Sequence, residues 1–140
     1  MKTPLISIVI CTFNRPESLT RLIDMCIDHA SPKGLGFEIV IADNSPSGYG
    51  NDIVKRYEGQ LVPVRYVSAQ PANISIARNR GIATAKADII AFLDDDVTIE
   101  AGWLDQMYAT LETSGADCAL SAVSVRPAEK PPVWDEECRQ

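Results

Sequence analysis

Three carboxylates in succession, Asp94-Asp95-Asp96, close the apolar run Ile89-Ile90-Ala91-Phe92-Leu93. Neighbouring ionised acids repel, and any of them drawn into a partly buried rim sheds hydration, so the arrangement calls for a compensating cation or hydrogen-bond donors. Carboxylate oxygens suit a hard divalent ion, Mg²⁺ or Mn²⁺, better than they suit zinc, and such ions commonly arrive with a phosphate-bearing ligand. Two more polar groups follow apolar runs in the same way: Thr12-Phe13-Asn14-Arg15 after residues 6–11, and Asp43-Asn44-Ser45 after residues 37–42. The chemistry outlined is the metal-assisted binding of a nucleotide diphosphate. Each piece also has an ordinary structural use: Asp43 or Asn44 can open a turn, Asn14 can help cap the first helix, and Asp96 or Thr98 can cap the helix that carries Trp103. Capping accounts for a single acid of the triplet, and the shared position after apolar runs favours a site.

Short, nearly continuous apolar runs must position these residues: 6–11, 37–42 and 89–93, with weaker ones at 64–67 and 119–125. Continuous rather than alternating apolarity predicts strands covered on both faces. Helical spacing fills the gaps. Leu19, Leu22, Ile23, Cys26, Ile27 and Ala30 recur after Pro16, which suits a first turn; Ile74, Ala77, Gly81, Ile82 and Ala85 form a small-residue stripe; Trp103, Leu104, Met107, Tyr108 and Leu111 form a third. The alternation predicts an α/β fold, a Rossmann-like, mostly parallel sheet flanked by helices on both faces and joined by right-handed crossovers. The carboxyl ends of such strands share one edge, where ligands bind, so the polar groups are expected to converge there. The Gly- and Pro-containing stretches 31–36 and 45–50 read as connections, and residues 127–140 as an irregular tail after one domain over 1–126.

A chain of 140 residues with 46% hydrophobic content fits one domain with one core. Thirteen Lys and Arg against nineteen Asp and Glu, a net charge of -6, exclude a general attraction to nucleic acid. No apolar stretch is long enough to cross a bilayer and the start shows no signal-peptide pattern, so membrane association is not indicated and the expected location is cytoplasmic. Cys11, Cys26, Cys118 and Cys138 are widely spaced, the first three within apolar patterns, which predicts buried free thiols rather than disulfides or a zinc site. His29, the only histidine, receives no catalytic role.

"SIVICTFNRPESLTRLI", "EIVIADNSPSG", "NISIARNRGIATAKADIIAFLDDDV" and "AGWLDQM" together resemble the successive motifs of the family 2 glycosyltransferases, inverting enzymes of the GT-A fold, over roughly residues 5–125. The resemblance implies a nucleotide-sugar donor, most often a UDP-sugar, with Mn²⁺ or Mg²⁺. It matches Thr12 and the Phe13-Asn14-Arg15 backbone to the first nucleotide-contacting loop, and Asp43 to the acid that accepts a hydrogen bond from the base. Uracil N3 carries a proton for a carboxylate to accept, whereas cytosine N3 is itself an acceptor, so Asp43 favours uracil and, almost equally, thymine. Arg78 and Asn79 match a motif at the floor of the donor site; Arg80 and Lys86 read as a solvated face. Asp94 and Asp96 match the two acids of the DxD motif, Asp94 towards the ribose and sugar and Asp96 on the metal, while Asp95 points elsewhere or reaches the donor sugar.

The family's general base is a carboxylate beyond the fifth strand, and the acceptor-binding segments follow it. The catalytic base is therefore expected beyond residue 140; Asp135, Glu136 and Glu137 are the only late acids, and their spacing singles out none. The acceptor, whether carbohydrate, lipid or protein, stays open. A chain that stops there reads as truncated, a donor-binding lobe without independent catalysis, which could self-associate through apolar surface near Val133 and Trp134. The rival enzyme class, a sugar nucleotidyltransferase, calls for a glycine-rich basic loop after the first strand, where this chain has Thr12-Phe13-Asn14-Arg15-Pro16.

Overall fold

In the computed structural model, which describes residues 3–124, strands and helices alternate: β1 (Ile6–Thr12), α1 (Pro16–His29), β2 (Phe37–Asp43), α2 (Tyr49–Lys55), β3 (Val64–Ser68), α3 (Ile74–Thr84), β4 (Ile89–Asp94) and α4 (Trp103–Ser114). The strands pair in parallel in the order β3-β2-β1-β4. The chain thus steps outward from β1 to β3 and then crosses back to the other side of β1, which makes the gap between β1 and β4 the point of order reversal. This is the expected α/β architecture.

Alternation along the strands divides the core. Ile6, Ile8 and Ile10 of β1 and Ile39 and Ile41 of β2 meet Leu19, Leu22 and Ile23 of α1, Ile53 and Val54 of α2 and Leu104 of α4 on one face. Val9, Cys11, Val40 and Ala42 meet Ala77 of α3 on the other. Gly81 is required there, because a Cβ would lie 2.3 Å from Val9 Cγ1. Of the α3 stripe only Ala77 and Gly81 are buried, while Ile74 and Ile82 stay about half exposed. Helix α4 abuts α1 end to end: the N–H groups of Gly102 and Leu104 donate to the carbonyls of His29 and Ala30, so two orphan groups at each helix end satisfy one another. Asp105, in the first turn of α4, accepts from Ser31 Oγ and from the Lys33 N–H at 3.0 Å.

Glu38, the second residue of the inner strand β2, is 1% exposed. Its Oε1 accepts from Ser7 Oγ at 2.7 Å and from the Lys86 N–H at 2.6 Å, and its Oε2 pairs with Arg65 Nη1 at 3.2 Å. One carboxylate thereby joins β1, β2, β3 and the entry to β4, at the sheet edge opposite the strand ends that carry the polar clusters.

Several expectations are corrected. Residues 119–124 form no strand; among the described residues they find no hydrogen-bonded neighbour, and Leu120 and Val123 are 93% and 84% exposed, so apolar composition alone does not make them a strand. Residue 125 lies outside the described residues. Cys118 is exposed for the same reason, whereas Cys11 and Cys26 are buried free thiols; Cys138 lies outside the described residues. The stretch 45–50 is not wholly a connection, because Tyr49 and Gly50 open α2. Asn14 does not cap α1, whose N-cap position is Arg15, and neither Asp96 nor Thr98 caps α4, whose N-cap is Gly102. Asn73 does cap its helix: its side chain accepts from the N–H groups of Ser75 and Ile76 at the start of α3.

Glu38→Ala leaves the Ser7 hydroxyl and the Lys86 N–H without their acceptor inside the sheet. It is expected to destabilise the fold by about 3–5 kcal/mol, the scale for breaking a buried ion pair from one side. Urea unfolding measures it, and Glu38→Gln, which keeps the shape, is expected to lose less.

Candidate functional site

Register makes the strand ends level. Thr12 pairs with Asp43 across β1 and β2, and Cys11 pairs with Asp94 across β1 and β4. Because side chains alternate, Thr12 and Asp43 continue the face of Ile10 and Ile41, and Asp95, two residues past Leu93, falls on that same face beside Thr12. Asp94 falls with Cys11 on the α3 face. Asp94 and Asp95 thus point to opposite sides of the sheet edge, which reduces their mutual repulsion.

Asp95 is the inner acid, 6% exposed. Its Oδ2 accepts from Thr12 Oγ1 at 2.8 Å and its Oδ1 from Arg15 Nη1 at 3.2 Å. The same Arg15 nitrogen lies 2.9 Å from Asp96 Oδ2. The charges of Asp95 and Asp96 and the hydrogen bonds to them raise the Arg15 pKa, so the guanidinium is a fixed positive charge. Tyr49, from the first turn of α2, closes the group: its hydroxyl bonds the Thr12 hydroxyl and accepts from the Arg15 N–H at 3.0 Å.

Asp43 is fully buried. Its Oδ1 accepts from the Ser45 N–H at 2.8 Å and its Oδ2 from the Gly50 N–H at 3.0 Å. Glycine at 50 permits that approach, since a Cβ would lie 2.9 Å from Asp43 Oδ2. The carboxylate therefore shapes the turn between β2 and α2. Each oxygen retains a second lone pair, and a ligand reaches it only where that turn yields. The adjoining Asn44 and Ser45 knit the loops together: Asn44 N–H donates to the Thr12 carbonyl at 2.9 Å, Asn14 N–H donates to Ser45 Oγ at 2.9 Å, and Asn44 Oδ1 accepts from the Asn73 N–H at 3.3 Å. Asn14 takes a left-handed φ of 51°, which asparagine tolerates better than most residues.

Between these ends opens a cleft of ≈ 360 Å³ lined by Cys11, Thr12, Phe13, Arg15, Asn44, Ile74, Asp94, Asp95 and Asp96. Of the expected site residues, Thr12, Phe13, Arg15 and all three acids line it. Asn14 and Asp43 support it from behind, and Arg78 stands outside its lining, with its guanidinium carbon 5.9 Å from the centre of the Phe92 ring. Asn44, from the second strand-end cluster, lines the cleft as well, while Tyr49 and Ile74 belong to the site without having been assigned to it: Tyr49 lies in a stretch read as a connection, and no periodicity marks it. Cys11 is no nucleophile, for burial pushes its thiol up to about 11 against the smaller opposite pull of Arg78. A larger concavity, ≈ 630 Å³, lies along the outer side of α1, lined by Glu17, Arg21, Asp24 and Asp28 among others, and shares no residue with the strand ends.

Among the described residues, no three acid, histidine or cysteine side chains converge as a metal cage. Asp94 and Asp96 instead bring exposed carboxylates to the cleft. That fits Mg²⁺ or Mn²⁺, which takes one or two protein carboxylates and completes its shell with phosphate and water.

Comparison with known proteins agrees with this layout. The chain is 31% identical over 130 residues to the succinoglycan biosynthesis protein ExoM of Rhizobium meliloti, covering 92% of this chain and 42% of that protein. It is 27% identical over 122 residues to the poly(ribitol-phosphate) beta-N-acetylglucosaminyltransferase TarP of Staphylococcus aureus, covering 86% and 37%. The chain thus spans about two-fifths of the length of these relatives. The crystal structure of S. aureus TarS residues 1–349 superposes with a TM-score of 0.68 at 21% identity, covering 80% of this chain and 33% of that one, a likeness of fold. The sequence model described as Glycosyl transferase family 2 matches residues 7–138. With nearly its whole length matched and its strand-end residues gathered at one cleft, the chain belongs to glycosyl transferase family 2.

Proposed function

We propose that this chain forms the donor side of an inverting glycosyltransferase, binding a nucleotide-diphospho-sugar, with a UDP-sugar favoured, together with Mn²⁺ or Mg²⁺. The carrying observation is the meeting of Thr12, Arg15, Asp94, Asp95 and Asp96 in one cleft at the point where strand order reverses. Family membership supports glycosyl transfer, and the related fold of TarS has been solved with UDP-GlcNAc at a TM-score of 0.63 and 20% identity.

In this reading the loop from Thr12 to Arg15 receives the nucleotide, with Phe13, 48% exposed, offering a ring to the base. Asp96 holds the divalent ion and Asp94 faces the ribose and sugar. Asp43 selects the base, either directly or through the turn it braces. A bound divalent ion supplies charge neutralisation for the departing diphosphate. Before the donor arrives, Thr12 and Arg15 hold Asp95 in place by hydrogen bonds, and Asp94 and Asp96 stay exposed to the ligand. The only acids lining the cleft are Asp94, Asp95 and Asp96, all assigned to the donor, so none among the described residues serves as the base; Asp135, Glu136 and Glu137 lie outside them.

UDP is expected to bind with Mn²⁺ and far more weakly in excess chelator; calorimetry reads both, and equal affinities remove the metal from the reading. Asp96→Asn is expected to cost the metal-dependent part roughly 1.5–3 kcal/mol, the scale of one interaction with a charged group. UDP and dTDP are expected to bind more tightly than CDP by roughly 1–3 kcal/mol. Asp43→Asn should erase that gap and, by setting an amide against two backbone N–H groups, lower the melting temperature; a preserved gap excludes Asp43 as base reader. Incubated with UDP-sugars and candidate acceptors, the 140-residue chain is expected to consume donor slowly by hydrolysis, since the described residues offer no general base and losing one typically lowers rate by about 10²–10⁴-fold. Fast repeated transfer would place the base within residues 1–140.

A further inference from the structure

We propose that Arg15 and the divalent ion are alternative counter-ions for Asp95 and Asp96, and that Arg15, once displaced, turns to the diphosphate of the donor. The inference rests on the donor-binding reading above. It starts from a single nitrogen: Arg15 Nη1 lies 3.2 Å from Asp95 Oδ1 and 2.9 Å from Asp96 Oδ2, so one guanidinium neutralises two carboxylates that a divalent ion would neutralise equally well. This is not the two-nitrogen fork by which arginine holds one carboxylate firmly. The Arg15 side chain is 53% exposed and Asp96 58%, so the contact is screened and weak enough to exchange.

Asp95 makes the exchange obligatory. Its side chain is 8% exposed, and among the described residues the Thr12 hydroxyl is the one donor to it besides Arg15. A nearly buried carboxylate with a single neutral donor remains unfavourable, so Arg15 leaves only as another cation arrives. The movement needs no shift of the loop. The Arg15 N–H is held by Tyr49 Oη at 3.0 Å and the Arg15 carbonyl by the Leu19 N–H at 3.0 Å, which fixes both sides of its Cα and leaves the side chain to swing. Among the described residues its remaining side-chain N–H donors have no partner, and Arg15 is the one cationic residue lining the cleft. The acid triplet therefore has its counter-charge in both states, and metal and donor bind cooperatively: the metal frees the arginine, and the diphosphate engages it.

The test compares the wild-type chain with Arg15→Gln and Arg15→Lys, each checked by circular dichroism. Free Mn²⁺ followed by electron paramagnetic resonance gives the affinity for the ion without nucleotide, and calorimetry gives that for UDP at saturating Mn²⁺. For Arg15→Gln the two effects are expected to have opposite signs: Mn²⁺ alone tighter by about two- to fivefold, the scale of one screened ion pair, and UDP weaker by about tenfold or more. Arg15→Lys, which keeps the charge, is expected to return Mn²⁺ affinity to the wild-type value while recovering UDP only in part. Unchanged Mn²⁺ affinity in Arg15→Gln, both affinities moving the same way, or Lys behaving as Gln overturns the exchange and leaves metal-dependent UDP binding by the wild type standing. UDP binding by the wild type that ignores chelator overturns both.

Discussion

The parallel register of β1 against β2 and β4 is the constraint on which the site depends. It sets Thr12 level with Asp43 and Cys11 level with Asp94, so three loops leave the sheet at the same height. A slip of one residue in β4 would send Asp95 to the α3 face and Asp94 to the Thr12 side, exchanging the buried acid for the exposed one. The register is therefore defended at the far edge. Glu38 accepts from Ser7 of β1 and from the backbone leading into β4, and pairs with Arg65 of β3. A charge with 1% exposure has no cheap alternative partner, so it tolerates one alignment of its neighbours. The closed apolar core between the two edges transmits that alignment to the cleft.

Three adjacent acids coexist because the sheet edge treats them differently. Pleating separates Asp94 from Asp95, and the turn after β4 carries Asp96 outward. Asp95, drawn inside, receives a hydroxyl and part of a guanidinium; Asp96, in solvent, shares that guanidinium; Asp94 stays hydrated. The demand for a counter-charge is thus met, among the described residues, by Arg15 of the first loop. It is met loosely, through one nitrogen, and loosely held groups are the ones a ligand can rearrange.

The strands, their order along the chain and the convergence of their polar ends were legible because continuous apolar runs that stop at polar clusters fit little besides a covered parallel sheet with a polar edge. Thr12, Arg15 and Asp94 to Asp96 do meet at one cleft. What was not legible depended on side-chain direction or on distant partners. Which acid turns inward follows from register, which no local pattern states. Tyr49 was hidden because a seven-residue helix offers too little periodicity to distinguish it from a Gly-rich connection. Glu38 lies inside the run 37–42, read simply as apolar, and its partners lie in other strands, so no local pattern marks it. The apolar stretch 119–124 misled in the opposite sense, because composition reports what a strand would bury and not whether an edge is there to pair with it.

The two edges of the sheet also differ in how completely polar groups are matched, and the difference orders stability and function along the strands. At the Glu38 edge both carboxylate oxygens, the Ser7 hydroxyl and the Lys86 N–H are mutually satisfied with little water, an arrangement with one low-energy state. At the cleft edge Asp43 has its oxygens taken by backbone donors, yet Asp94 and Asp96 remain in solvent and Arg15 keeps donors to spare. A ligand with phosphates and a cation adds both missing charge types to that edge and none to the other. The rigid edge can therefore hold the frame still while the polar groups at the cleft exchange partners, because the bonds that exchange there are not the bonds that fix the register.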